Sequence, residues 1–286
     1  MKVSVEIVNA FIDGDSGGNP AGVVLDATIL SHEQKLKTAQ KIGLSETAFV
    51  SESRVATIKL EFFTPERQIA HCGHATIATF SRMSELGLVK DGRMSKETID
   101  GTREIIVDGS MAYMEQSRPI YSDVMNIEEV RASLKLSSHE SLESMSIVNT
   151  GNSFLLVPLQ NAASVAAIKP DQMLIRQISE QYDLIGYYVF SNETALPERH
   201  AGARMFAPRY GIDEESATGM AAGPLACYLH DRQRVDSATL FIEQGRLMQP
   251  PSPSIIRVDL RIVDGSIGSL MAGGIGRSMR QMEIEV

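Results

Sequence analysis

The sequence predicts an α+β fold built twice over, each half a central helix wrapped by strands, and three observations carry that expectation. Two ordered sets of short motifs recur about half a chain apart. Several segments alternate apolar and polar residues with the period of a half-buried strand. Two stretches without a single charge read as helices buried on every side.

The repeat begins with Val8-Asn9-Ala10 followed by Gly18-Asn19-Pro20, which returns as Val148-Asn149-Thr150 followed by Gly151-Asn152-Ser153. It continues with Phe63-Thr64-Pro65 leading to Cys72-Gly73-His74, matched by Phe206-Ala207-Pro208 leading to Thr218-Gly219-Met220. The offset, 133 at the Gly-Asn pair, 143 at the Phe-x-Pro and 146 at the glycines, drifts as loop insertions would make it, so two homologous domains are expected. The expected bounds are residues 1–120 and 147–286, with a linker or crossover between them.

Thr57 to Phe62 and Arg257 to Val263 alternate with period two and read as strands. Ser31 with Gln34 spells a capping box ahead of a helix ending near Ile42, and Asn126 with Glu129 marks another helix start. Ile69 to Ser81 contains no Lys, Arg, Asp or Glu, and a helix is expected from His74 onward. Gly219 to Leu229 is its uncharged partner, with Pro224 predicting a kink after the first turn.

Composition narrows the function. The 286 residues are 43% hydrophobic, enough for a core, and carry 27 basic against 36 acidic residues for a net charge of −9. A broad cationic face for nucleic acid or anionic lipid is not expected. The uncharged stretch Ser144 to Ile168 is broken by Asn, Gln and Pro, so no membrane helix is expected, and Met1 to Asp13 does not read as an export signal. Two distant cysteines, Cys72 and Cys227, give no disulfide framework, and a cytoplasmic protein is the expectation.

A buried helix still has N–H groups without intrahelical partners at its first turn, along with the positive end of its dipole. Gly73 and Gly219 would let an anion approach the two ends, unless a hydroxyl such as that of Thr218 caps them. Three chemistries remain open there. His71, Cys72 and His74 could hold a metal, although the spacing matches no familiar ligand pattern. Cys72 could be a nucleophile. A carboxylate could move protons, and Glu46 is the candidate because it stands where a helix hands over to an apolar strand, with no charged residue within four positions. The corresponding stretch near Gly186 to Val189 has no Glu.

The motifs Asn9-Ala10-Phe11, Gly18 to Val23, Leu44 to Phe49, Phe63-Thr64-Pro65, Cys72 to Thr76, Arg204 to Pro208, Ala217-Thr218-Gly219 and Glu243-Gln244-Gly245 occur in order. Together they resemble the PhzF family, the phenazine-biosynthesis isomerase-like proteins, across essentially the whole chain. The resemblance implies a diaminopimelate epimerase-like fold of two pseudo-symmetric domains, each a strand-rich barrel around a central helix, with the active site in the cleft between them. It implies a cofactor-independent isomerase, without metal, in which Glu46 shuttles a proton while His74 and Glu215 assist. It also implies that Asn19, Cys72, Gly73, Thr218, Gly219 and Met220 bind a small carboxylate-bearing substrate, and that the protein is a homodimer. Thr218 stands where diaminopimelate epimerase has its second cysteine. Glu215 replaces the family's Asp, and Met220 replaces a hydroxyl residue. A small-anion-binding or regulatory protein, and an amino-acid epimerase working with Glu46 and Cys72, are the competing expectations.

Overall fold

The computed structural model describes residues 1–124 and 126–286 and has an α+β fold with two compact units. Unit 1 is residues 1–115 with 273–286, and unit 2 is residues 116–272. This division differs from the expected 1–120 and 147–286. The reason is the final strand, whose second half pairs with the first strand of the chain rather than with its sequence neighbours.

In unit 1, β1 (Lys2–Ala10) pairs antiparallel with β2 (Asn19–Val24). Helix α1 (His32–Ile42) then returns the chain so that β3 (Thr47–Ser51) lies parallel to β2. The capping box is present: the Ser31 hydroxyl accepts from the Gln34 N–H, and the Gln34 side chain accepts from the Ser31 N–H. Strand β4 (Ile58–Phe63) pairs antiparallel with β3 and with the short β5 (Gln68–Ile69). After α2 (Gly73–Glu85), β6 (Gly92–Thr98) lies parallel to β4, followed by antiparallel β7 (Gly101–Asp108) and β8 (Met111–Ser117).

The alternation in β4 sorts its side chains between two faces. Phe63 joins Phe49, Val3, Val5, Ile7 and Ala39 in the core beneath α1. Phe62 points the other way. Helix α2 packs on β1, β2 and β3, and every residue from Gly73 to Ser81 is buried, as a charge-free helix requires.

Unit 2 starts with β9 (Ile120–Ser122) and α3 (Ile127–Leu134), the latter capped by Asn126 as its sequence suggests. Strand β10 (Ser146–Asn149) pairs antiparallel with β9 and with β11 (Ser153–Pro158). Helices α4 (Ala162–Ala167) and α5 (Gln172–Gln181) lead to β12 (Gly186–Ser191), parallel to β11. Strand β13 (Ala201–Ala207) is antiparallel to β12 and to β14 (Ile212–Glu215). After α6 (Gly219–Asp231), β15 (Thr239–Gln244) lies parallel to β13 and antiparallel to β16 (Ser254–Val263). Helix α6 runs through Pro224 without interruption and packs on β10, β11, β15 and β16. A second core of Leu155, Val157, Ile175, Tyr187, Val189 and Phe206 lies beneath α5.

The last strand, β17 (Ser266–Glu285), leaves unit 2 and finishes unit 1. It pairs with β1 from Lys2 opposite Glu285 to Ala10 opposite Gly276. Beyond it the Val286 N–H donates to the Met1 carbonyl at 2.8 Å.

Candidate functional site

Glu46 is placed by the end of α1. Gly43 closes that helix in the left-handed conformation at φ 68°, with its N–H bonded to the Ala39 carbonyl. Three residues later the Glu46 carbonyl accepts from the Gly22 N–H at 3.1 Å, which fastens the start of β3 to β2. The side chain is thereby fixed in the interior, with Glu46 only 8% exposed.

His74 lies in the first turn of α2 and is 5% exposed. Its Nε2 is 3.3 Å from Glu46 Oε2, and its Nδ1 is 3.6 Å from Cys72 Sγ. The imidazole thus stands between a carboxylate and a thiol. A neutral imidazole carries one ring proton, so one of its nitrogens can donate while the other accepts. Glu46 Oε2 is buried and accepts no conventional hydrogen bond, which leaves a lone pair available to take a proton. Burial pushes the Cys72 thiol up from its ordinary range, against the opposing pull of His74.

The amino end of α2 is free of acidic residues in its first turn, and its N-cap, Cys72, makes no side-chain capping hydrogen bond. Instead the Thr76 hydroxyl reaches back and donates to the Cys72 carbonyl at 2.6 Å. Gly73 lies directly after the cap, and buried Asn19 begins β2 opposite Ala10.

His71 is not part of this group. Its Nδ1 is 3.1 Å from the Nζ of Lys96, which also donates to the Thr76 hydroxyl at 2.6 Å. Burial, with the Lys96 charge next in size, lowers His71 to about 3. It is a neutral acceptor for the lysine rather than a metal ligand beside Cys72. Among the described residues, the ligand atoms that could hold a metal belong to Glu46, Cys72 and His74, which lie within 4.8 Å of one another.

In unit 2 the start of α6 is built differently. Thr218 is the N-cap, but its hydroxyl makes no capping bond; it donates to the Glu215 carboxylate. The capping task falls to Gln244 on β15. Its Oε1 accepts from the Thr218 N–H at 2.9 Å and from the Tyr188 hydroxyl at 2.8 Å. Its Nε2 donates to the Glu215 carbonyl at 2.7 Å and to Thr218 Oγ1 at 3.1 Å. Gly245, at φ 75°, permits this closeness, because a Cβ there would meet the Ser216 carbonyl at 2.6 Å. The Gly219 carbonyl accepts from Gln116, and Met220 Sδ is 3.4 Å from the amide of Asn152.

The structure therefore brings together Glu46, Cys72, Gly73 and His74 in unit 1. It brings together Glu215, Thr218, Gly219 and Met220 in unit 2. Lys96, Gln116, Tyr188 and Gln244 join these groups without an individual mark in the sequence. The signal for Gln244 was present in Glu243-Gln244-Gly245, a motif with no assigned task. Lys96 gave none, since β6 reads as polar along its length.

The chain resembles known proteins in sequence and in fold. The model of the phenazine biosynthesis-like protein family matches residues 8–273. The chain is similar to the uncharacterized isomerase YddE of Escherichia coli O157:H7, with 32% identity over 262 residues and 87% of each chain covered. It is 31% identical over 263 residues to the trans-2,3-dihydro-3-hydroxyanthranilate isomerase of Pseudomonas chlororaphis, covering 89% of this chain and 90% of that one. The crystal structure of a PhzF-family phenazine biosynthesis protein from Bacillus anthracis superposes with a TM-score of 0.90 at 26% identity, over 100% of both chains.

Proposed function

Because this chain belongs to the phenazine biosynthesis-like protein family, we propose that it is an isomerase that moves a proton on a small carboxylate-bearing substrate without a cofactor. The observation that carries the proposal is Glu46: a buried carboxylate with an unbonded oxygen, 3.3 Å from an imidazole at the first turn of a buried helix. Glu46 removes a proton from an activated carbon and returns it to another. His74 stands beside the carboxylate and relays or donates a proton as charge develops. The N–H groups at Gly73 and His74, with the helix dipole behind them, stabilise an anion.

In unit 2, Glu215 is the second acidic group, held by Thr218, and the α6 end at Gly219 and Met220 offers further N–H donors to a carboxylate. The two units are read as two copies of one design, each a barrel around its central helix. The same sequence of pairings supports this, from β1 and β2 to β6 and β7, and from β10 and β11 to β15 and β16. A homodimer in the cytoplasm completes the reading. Among the described residues no helix is long and apolar enough to cross a membrane.

The test is deuterium incorporation from solvent, followed by NMR with trans-2,3-dihydro-3-hydroxyanthranilate and a panel of cyclic and α-amino carboxylates. Label should enter a panel member with wild type and not with Glu46→Gln. Label entering equally with the variant removes Glu46 as the base, while binding without exchange favours the small-anion-binding alternative.

One observation favours a second reading. Cys72 Sγ lies 3.6 Å from His74, so a Glu46/Cys72 pair could serve an amino-acid epimerase. The raised thiol weighs against Cys72 as a resting base, and loss of all exchange in Cys72→Ser with an amino-acid substrate would reverse the preference.

A further inference from the structure

Lys96 is 0% exposed, and it meets a histidine, a threonine and a methionine rather than a carboxylate among the described residues. It stands on β6 behind the amino end of α2. Its Nζ donates to Thr76 Oγ1, meets His71 Nδ1, lies 3.9 Å from Met114 Sδ and sits 5.0 Å from the centroid of the Phe62 ring. Thr76 in turn donates to the Cys72 carbonyl. The amine therefore braces both sides of the turn that delivers Cys72, Gly73 and His74.

A buried ammonium is costly unless it is paired or does work. The titratable groups around it do not pair it. His71, from the loop before α2, is neutral; Cys72, the N-cap of α2, is a thiol pushed up by burial. Asp100, in the turn after β6, is engaged by Thr98 and by Arg103 of β7 at 2.7 Å. The faces supplied by β4 and β8 are Phe62 and Met114. The charge of Lys96 and the dipole of α2 thus add at one end of one helix.

We propose that Lys96 is the positioning and charge-setting residue of the unit 1 site: its ammonium braces the His71–Thr76 turn and makes carboxylate binding at the first turn of α2 take up a proton. This rests on the functional reading of that site and adds a full charge to the N–H groups and helix dipole that the reading gives the substrate carboxylate. Burial lowers Lys96 to about 7, so a change in local charge acts on it near neutrality. A bound anion favours the ammonium. Affinity is then highest below the titration of the free protein and is lost as pH rises through that of the complex.

The experiment is isothermal titration calorimetry with anthranilate, an aromatic carboxylate with no sp3 ring proton to lose, at pH 6 to 8.5 in two buffers of different ionisation heat. Wild type should bind roughly tenfold more tightly at pH 6 than at pH 8.5, with measurable proton uptake near pH 7.5. Lys96→Met, which keeps the volume and removes the charge, should bind weakly at both values. Three results overturn the proposal: flat wild-type affinity, no saturable wild-type binding at any pH, or the same pH slope in Lys96→Met, which would assign the proton to His74 or Glu46. The wild-type proton count stands even if the variant does not fold. Because the ligand cannot react, the outcome separates from that of the isomerase test: flat binding with intact deuterium exchange defeats only the lysine, and proton-linked binding without exchange defeats only the chemistry.

Discussion

The two buried helices begin alike in sequence and unlike in chemistry. At the start of α2 a carboxylate, an imidazole and a thiol stand in a row, and Glu46 keeps an unbonded oxygen. At the start of α6, Gln244 makes four hydrogen bonds that tie together Thr218, Glu215 and Tyr188. The first end has left a polar atom unsatisfied in the interior, a costly arrangement that points to a reacting partner. The second has spent its polar groups on its own shape. On the proposed reading the two helix ends thus carry unequal duties, with proton chemistry at one and a rigid grip at the other.

The sharpest way to break this contrast is Glu46→Gln. Exchange with a responsive substrate should fall by about 10²–10⁴-fold, the usual contribution of a general base, while the folded state persists. Glu215→Gln should cost less, and equal losses in both variants would erase the asymmetry.

Gln244→Leu addresses the other end. It would strand the Thr218 N–H and the Tyr188 hydroxyl, both buried, and should lower unfolding free energy by about 2–4 kcal/mol in urea titrations. A loss under about 1 kcal/mol would show that the network is not what holds the loop.

Lys96→Met gives a smaller and pH-dependent difference. The folded-state value of Lys96 lies below its unfolded value, so the unfolded chain binds the extra proton between about pH 7 and 10. Wild-type stability therefore rises with pH across that window through this group, and the variant lacks the rise. Melting curves at pH 7 and 9 should show the variant's advantage shrinking as pH increases.

The smallest expected effect is at Cys72. Its thiol is buried and pushed up, so alkylation by iodoacetamide at pH 8 should be much slower than for a free cysteine. Cys72→Ser should change exchange by less than about tenfold if Glu46 is the base.

Much of this was legible in the sequence wherever the cause was local or periodic. The Ser31 capping box, the Asn126 cap, the alternation in β4 and the charge-free segment after Ile69 each appear in the structure as written. Glu46 stood out because a lone acid in an apolar setting is unusual. The site partners that stayed hidden depend on distant chain. Lys96 is buried because β6 lies parallel to β4 against α2, and nothing within Arg93 to Thr98 announces that. His71 looked like a neighbour of Cys72, yet the backbone turns its ring to the lysine. Gln244 meets Thr218 from 26 positions away. The compact units differ from the expected bounds for the same reason, since β17 pairs with β1 across nearly the whole chain.

That last pairing has a kinetic consequence. Unit 2 is one unbroken stretch and can assemble from contacts made within it. Unit 1 cannot close until residues 273–286 arrive beside β1, and joining such remote segments incurs a loop-closure penalty that local pairings avoid.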